Sequence, residues 1–398
     1  MSEAMTAQGG SSGWHGWPDA FQDMNSQAVQ SFRENHRERI QFHLWLQWLA
    51  HEQLAKAQRR ALAAGMRIGL YLDLAVGVAT DGADTWSEPG TVLRGVRVGA
   101  PPDAINANGQ DWQLAPLSPH ALADKQGRLF GALFSDAIGP AGAIRIDHAM
   151  GLERLYLIAD GLNGVDGAYV QYPLDELLKA IGQVSKAKPA IIIGEDLGTV
   201  PANFRETMRA ARILGYRVLF FEREWDRSDR SFRLPQDYQR DALACVSTHD
   251  LPTLRGWWEG HDLDDRERLG IDDADTVRAY RAERETERKL MIAALFASNL
   301  LPDGLVAVAR GEQSVPARLP LELAVAITRF LAVTPCRLVA IQLEDLAGVE
   351  ARANLPGTIL EHPNWRRKLP VDLDKLAQLP TFTALIEAVA RERPRCGD

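Results

Sequence analysis

Ala143-Ile144-Arg145-Ile146-Asp147-His148 is the stretch on which the fold turns: a short, apolar, β-rich run that ends on a carboxylate. Two later segments repeat its form, Ala190-Ile191-Ile192-Ile193-Gly194-Glu195-Asp196 and Ala244-Cys245-Val246-Ser247-Thr248-His249-Asp250. Runs of this kind, separated by helix-length intervals and turn signals, read as parallel βαβ units. In a barrel of such units the C-terminal strand ends carry the chemistry. Three carboxylates are therefore expected to converge on one mouth. Acidic groups that meet in this way serve either hard cations or glycosidic chemistry, and the pattern alone leaves both open.

Working outward, strands are predicted near 67–78, 143–147, 190–195, 217–221, 242–248 and 336–342, with helices between them at Asn203 to Ala211 and Leu321 to Ala332. A closed (β/α)8 barrel takes eight strands, so the expected architecture is an α/β barrel of the TIM type that is incomplete. Upstream, Val29, Phe32, Ile40, Leu44, Trp45, Trp48, Leu54 and Leu62 follow helical spacing up to Gly65, which predicts a long, partly buried helix broken once. Residues 1–28, polar and Gly-rich with two tryptophans, Trp14 and Trp17, read as a loosely packed lead-in. Residues 99–120 are too rich in Pro, Asn and Gly for a regular element and read as a binding loop or lid. Residues 264–299 read as a helical excursion. The predicted organisation is a lead-in (1–28), a helical segment (29–66), the barrel with its insertions (67–350) and a C-terminal extension (351–398).

The 398 residues are 46% hydrophobic and 25% charged, enough to bury one large core or two smaller ones. A net charge of −8 argues against a general nucleic-acid or anionic-membrane surface and favours a neutral or polar small substrate. The odd cysteine count, with Cys245 and Cys336 inside apolar runs and Cys396 near the end, predicts reduced core residues and no disulfide framework. No apolar stretch has the length of a membrane span, and the start lacks a signal peptide's apolar middle. A cytoplasmic location is the default expectation.

Arg145 precedes Asp147 by two residues, so on a strand both side chains leave the same face. A guanidinium beside a carboxylate favours the ionised form that a nucleophile needs, although the same pair also serves purely structural roles. Glu195 and Asp196 alternate, so only one can face the centre. A carboxyl at the end of an apolar strand, near a second carboxylate, has its pKa raised and suits proton donation; its bland reading is a helix-capping acid. Asp250 beside His249 also fits a polar loop start before Pro252. His148, His249 and the acids could bind metal, but no His-x-x-x-His, Cys-x-x-Cys or calcium-loop signature is present. No Gly-x-Ser-x-Gly elbow marks a serine hydrolase. Tyr71, Trp86, Trp112, Trp257 and Trp258 could stack on sugar rings, or fill the core.

Taken together, Arg-Ile-Asp-His at 145–148, Gly-Glu-Asp-Leu-Gly at 194–198, Thr-His-Asp-Leu-Pro-Thr at 248–253, Gly-x-Pro-Pro-Asp at 99–103 and Gly-Gln-Asp-Trp at 109–112 resemble the 4-α-glucanotransferases of glycoside hydrolase family 77. Asn-Leu-Pro-Gly-Thr at 354–358 and Asn-Trp-Arg at 364–366 extend the likeness. The resemblance implies an α-amylase-like barrel, no cofactor, and α-1,4-glucans or maltooligosaccharides as partners. It implies Asp147 as nucleophile, Glu195 as general acid/base and Asp250 as the third carboxylate. Arg145 and His249 would support that subsite, Gln110 and Trp112 would contact the acceptor from a lid, and Asp81, His148 and Asn354 would bind substrate. The strand at Arg67 matches the family's third, and positions 1–66 offer no counterpart of the first two. The expectation is thus a C-terminal portion of such an enzyme with open edges at Arg67–Asp73 and Arg337–Gln342 that favour self-association, and an inactive remnant or glucan-binding protein is the alternative function.

Overall fold

The apolar runs form short strands because aliphatic and β-branched side chains can be buried on both faces, as a parallel sheet demands. The computed structural model describes residues 1–102, 108–124, 127–358 and 360–394; Asp103 and Asn106 of the expected loop, and Cys396, lie outside the described residues. The chain divides into two units, Met1–Gly215 and Tyr216–Asp398.

Unit 1 holds β1 (Tyr71–Leu74), β2 (Val78–Ala79), β3 (Val96–Ala100), β4 (Gln110–Ala115), β5 (Ala143–Ile146), β6 (Arg154–Ala159), β7 (Ala168–Gln171) and β8 (Ile191–Gly194). β1, β5 and β8 form a parallel sheet with β5 in the centre, and every residue of β5 is buried. Its register sets Asp73 beside Arg145, and Ile146 between Leu74 and Gly194. The ladder runs on past the strands: Asp147 N–H donates to Leu74 O (2.9 Å) and Glu195 N–H to Ile146 O (3.0 Å). Both acids are thereby fixed by backbone at adjacent C-terminal ends. A Cβ on Gly194 would stand 3.0 Å from that of Ala149, so glycine there lets the turn after β5 pack against β8. Helix Arg128–Ile138 buries Phe130, Phe134 and Ile138, one stripe at i, i+4, i+8, in a core shared with Ile144, Ile192 and Leu177. Removing a fully buried ring such as Phe134 would cost about 3–5 kcal/mol.

Three expectations change. First, residues 1–28 are docked: Trp14 and Trp17 are buried, Trp14 Nε1 donates to Thr85 Oγ1 (3.0 Å), and Trp86 Nε1 donates to Phe21 O (3.0 Å). Indole rings whose N–H groups find acceptors bury readily, which outweighs the polar composition around them. Second, the long helix is broken at His36 into Gln27–Asn35 and Arg37–Ala63, but of the latter only Gln58 is buried, while Phe42, Leu44, Trp45, Leu46, Trp48 and Leu62 are exposed. Gln58 is buried because its amide stands in for a strand residue, donating to Ile68 O (3.0 Å) and accepting from Leu70 N–H (2.6 Å) just before β1. Third, the segment read as loop 99–120 contains β4, part of a second sheet ordered β2-β4-β3-β6-β7. β4 pairs antiparallel with β2 and β3, so backbone pairing on both sides makes a strand of a mixed sequence.

Unit 2 begins inside β9 (Gly215–Val218), which with β10 (Ala242–Cys245) and β11 (Leu338–Ala340) forms a sheet ordered β11-β10-β9. Every residue of β10 is buried, and Cys245 and Cys336 are buried free thiols. Helix Leu321–Ala332 buries Leu323, Ile327, Phe330 and Leu331 and packs against helix Pro380–Glu392. The excursion after β10 consists of helices His261–Arg268 and Ala274–Ala297, joined by a two-pronged pair in which Arg284 donates to both oxygens of Asp262 (2.9 Å each). Trp257 and Trp258, read as possible sugar platforms, belong to the core. Among the described residues no helix is long and apolar enough to cross a membrane.

Candidate active site

In unit 1 the side chains that follow β5 and β8 gather around one guanidinium. Arg145 is buried, and its Nη1 donates to both oxygens of Asp73 (2.9 and 2.8 Å). Its Nη2 lies 2.7 Å from Asp147 Oδ1 and 4.0 Å from Glu195 Oε2. Burial opposes the charge on Arg145, yet the carboxylates of Asp147, Asp73 and Glu195 outweigh it and raise its pKa above the ordinary value. Since the two oxygens share Nη2 as a neighbour, they lie within about 7 Å of one another, a limit that admits the ~5–5.5 Å carboxyl separation of retaining glycosidic sites.

Glu195 is 8% exposed. Its Oε1 accepts from Leu197 N–H (2.7 Å) and its Oε2 from His148 N–H (3.0 Å). Burial pushes its carboxyl up to about 7; Asp147 adds to the rise, while Arg145 and the two N–H donors restrain it. The His148 contact needs a left-handed backbone, φ +44° at a residue with a Cβ, a conformation that costs energy and is held by surrounding structure. Burial lowers the His148 imidazole to about 4, so the ring is neutral at physiological pH. Asp196 points elsewhere, its Oδ2 accepting from Arg205 Nε (2.7 Å).

Trp112 and Gln110 sit two residues apart on β4, and Trp112 Nε1 donates to Gln110 Oε1 (3.2 Å). The Trp112 ring meets the His148 ring edge-on at 5.1 Å, so a half-buried aromatic borders the acids from a strand and not from a loop. Asp147 and His148 line a recess with Leu74, Ala75, Val76 and Tyr172. Asp81 does other work: its Oδ1 accepts from His15 N–H (2.9 Å), and its side chain occupies the space a Cβ on Gly13 would need.

Unit 2 assembles its own group. Asp250 Oδ1 accepts from Asn354 Nδ2 (2.7 Å), and His249 Nε2 lies 3.3 Å from Asp250 Oδ2. Asn354 N–H also donates to His249 O (3.2 Å), so one asparagine grips both residues. The loop is closed by Ser247 Oγ donating to Pro252 O (2.6 Å), and Asp345 Oδ1 accepts Leu254 N–H (2.8 Å) where the next helix starts. The ring of Trp365, 65% exposed, lies 5.2 Å from that of His249. Sequence reasoning assigned no role to Asp73, Asp345 or Trp365. Only strand register pairs Asp73 with Arg145, whereas Asn364-Trp365-Arg366 was visible as a motif without a function.

A family model described as 4-alpha-glucanotransferase, of glycoside hydrolase family 77, matches residues 2–374. A 4-alpha-glucanotransferase of Mycobacterium tuberculosis is 39% identical over 354 residues, covering 89% of this chain and 47% of that protein. One from Haemophilus influenzae is 36% identical over 361 residues, covering 90% and 50%. The chain spans about half the length of the curated relatives it matches. Among solved structures, amylomaltase from Corynebacterium glutamicum superposes with a TM-score of 0.81 at 33% identity, covering 89% of this chain and 50% of that one. Amylomaltase from Streptococcus agalactiae in complex with acarbose gives 0.74 at 18% identity, covering 98% and 71%, a likeness of fold alone. These neighbours put the chain in the TIM-barrel-like α/β class.

Proposed function

The chain belongs to the 4-alpha-glucanotransferases of glycoside hydrolase family 77, and from that premise we propose that it transfers α-1,4-glucan segments between maltooligosaccharides with retention of configuration. The observation that carries this reading is the pair of unlike carboxyls around Arg145: Asp147 in direct contact with the guanidinium, and Glu195 buried with a pKa of about 7. Asp147 attacks C1 of the donor sugar while Glu195 gives its proton to the departing glycosidic oxygen, so the C1–O bond breaks and a glycosyl ester forms. The 4-hydroxyl of a second glucan then attacks C1, Glu195 takes back a proton, and Asp147 leaves. A group that must act first as acid and then as base works best with a pKa near the working pH. Asp250, gripped by Asn354, is assigned to the sugar hydroxyls, and Gln110 and Trp112 to the acceptor side. This chemistry calls for no cofactor.

Incubating the full chain with maltotriose and measuring glucose and longer maltodextrins tests the proposal. Asp147→Asn and Glu195→Gln should each lower transfer by at least about 10²–10⁴-fold with folding intact. Either variant retaining substantial transfer overturns the assignment. Glucan binding without transfer in the unmodified chain would favour the binding-protein alternative.

A further inference from the structure

Unit 2 holds a second constellation, built on other elements. Glu259 ends helix Leu254–Glu259, Gly260 turns the chain at φ +85°, His261 opens the next helix, and Glu350 comes from the segment after helix Leu343–Leu346. Glu259 Oε2 and Glu350 Oε2 each lie 3.5 Å from His261 Nε2, and one ligand atom from each residue falls within 4.8 Å of the others. His261 Nε2 is shut off from solvent and has no hydrogen-bond partner among the described residues. Such a nitrogen, aimed at two carboxylate oxygens and bonded to neither, calls for an explanation.

The remaining atoms of the three side chains are tied down. Arg255 takes the other oxygens, Nε to Glu259 Oε1 at 3.1 Å and Nη2 to Glu350 Oε1 at 2.7 Å. Leu319 N–H also donates to Glu259 Oε1 (3.1 Å), and Asp264 Oδ2 faces His261 Nδ1 at 3.6 Å. Two oxygens and one nitrogen are left converging on a common point. A histidine whose second nitrogen faces a carboxylate is the usual outer support of a metal ligand.

We propose that Glu259, His261 and Glu350 bind a divalent transition-metal ion of the zinc class. Four-coordinate ions with bonds of about 2.0–2.2 Å hold their ligand atoms about 3.3–3.6 Å apart, and both nitrogen–oxygen separations, at 3.5 Å, match that edge. The imidazole nitrogen and the small ligand number favour zinc over calcium or magnesium, which take six or more oxygens. Water would fill the fourth position. Arg255 offsets part of the negative charge, so binding is reversible and chelator-sensitive. The ion would fasten Glu350 to the corner between two helices. Glu350 O already accepts from Thr253 Oγ1 (3.1 Å), and the chain runs from Glu350 to the Asn354 that grips Asp250, so the ion braces that loop.

The test uses the full chain after treatment with a chelator, and it does not depend on glucan transfer. Zn2+ at about a hundred times its dissociation constant should raise Tm by several degrees. Co2+ should give the intense visible bands of a four-coordinate ion. Both signals should vanish in His261→Ala, and also in Glu350→Gln, whose half-exposed position leaves folding undisturbed. Absence of both signals in the unmodified chain, or their persistence in a folded His261→Ala or Glu350→Gln variant, overturns the proposal and leaves the transferase reading untouched.

Discussion

Replacing Arg145 with methionine should drive the Glu195 carboxyl upward from about 7. Nη2 lies 4.0 Å from Glu195 Oε2, and unit charges at that distance interact by about 4 kcal/mol at an effective dielectric of about 20, equivalent to about three pKa units. Water entering the vacated space weakens the effect, so the expected rise is about one to three units. Asp73 and Asp147 lose their shared cation in the same step, and the added negative field acts in the same direction. The sign carries over to stability. A carboxyl raised in the folded state contributes stability that is present below its unfolded pKa and is lost as pH rises through the folded one. For Glu195 the loss in the unmodified chain falls between about 4.5 and about 7, and in the variant it extends one to three units higher. Carbon-13 titration of the glutamate carboxyls, with Glu195→Gln to identify the signal, reads the shift directly. Urea unfolding at pH 5 and pH 8 reads its linked cost. A Glu195 midpoint that stays in place or falls in Arg145→Met would refute the claim that this guanidinium restrains its ionisation.

Two more predictions follow from burial. Asp345 is buried with one oxygen on Leu254 N–H and the other without a hydrogen bond, and burial lifts its pKa to about 7. Asp345→Asn should remove a component of up to roughly 4 kcal/mol that the folded state loses between about pH 4 and pH 7, leaving the variant at least as stable as the parent at pH 8 by urea unfolding. A larger loss of stability at pH 8 than at pH 4 would show that the charged form is the stabilising one. Trp112→Ala should cost about 2–4 kcal/mol, because a half-buried ring on a paired strand is removed, and it should raise the KM for acceptor sugars more than that for donors. Unchanged acceptor KM beside lowered stability would reduce Trp112 to a packing residue.

What could be read from the residues and what could not divide along physical lines. Ile191-Ile192-Ile193 and Ala242-Leu243-Ala244-Cys245 announce themselves because a strand covered on both faces must be apolar throughout, and their shortness between turn signals separates them from a buried helix. β4 gives no such signal. Gln110–Ala115 is half-buried at best along most of its length, and its strand character comes from two antiparallel neighbours, so a local reading sees a mixed Gln-Asp-Trp-Gln-Leu-Ala run near Gly and Pro. The same contrast runs through the site. That Glu195 and Asp196 face opposite ways follows from alternation, a property of one strand, and the structure sends one to Arg145 and the other to Arg205. Asp73 is invisible to any such argument, since its meaning depends on which strand lies beside it and in what register. Aromatic residues are the converse case. Trp258 and Trp365 are the same side chain near turns, yet the first is 1% and the second 65% exposed. Nothing within a few residues of either records the difference, because it is decided by what packs from elsewhere in the chain. Chemistry confined to one element is therefore legible in sequence, while chemistry shared across elements, such as the Arg145 pairs and the Glu259, His261 and Glu350 constellation, becomes legible only through register and packing.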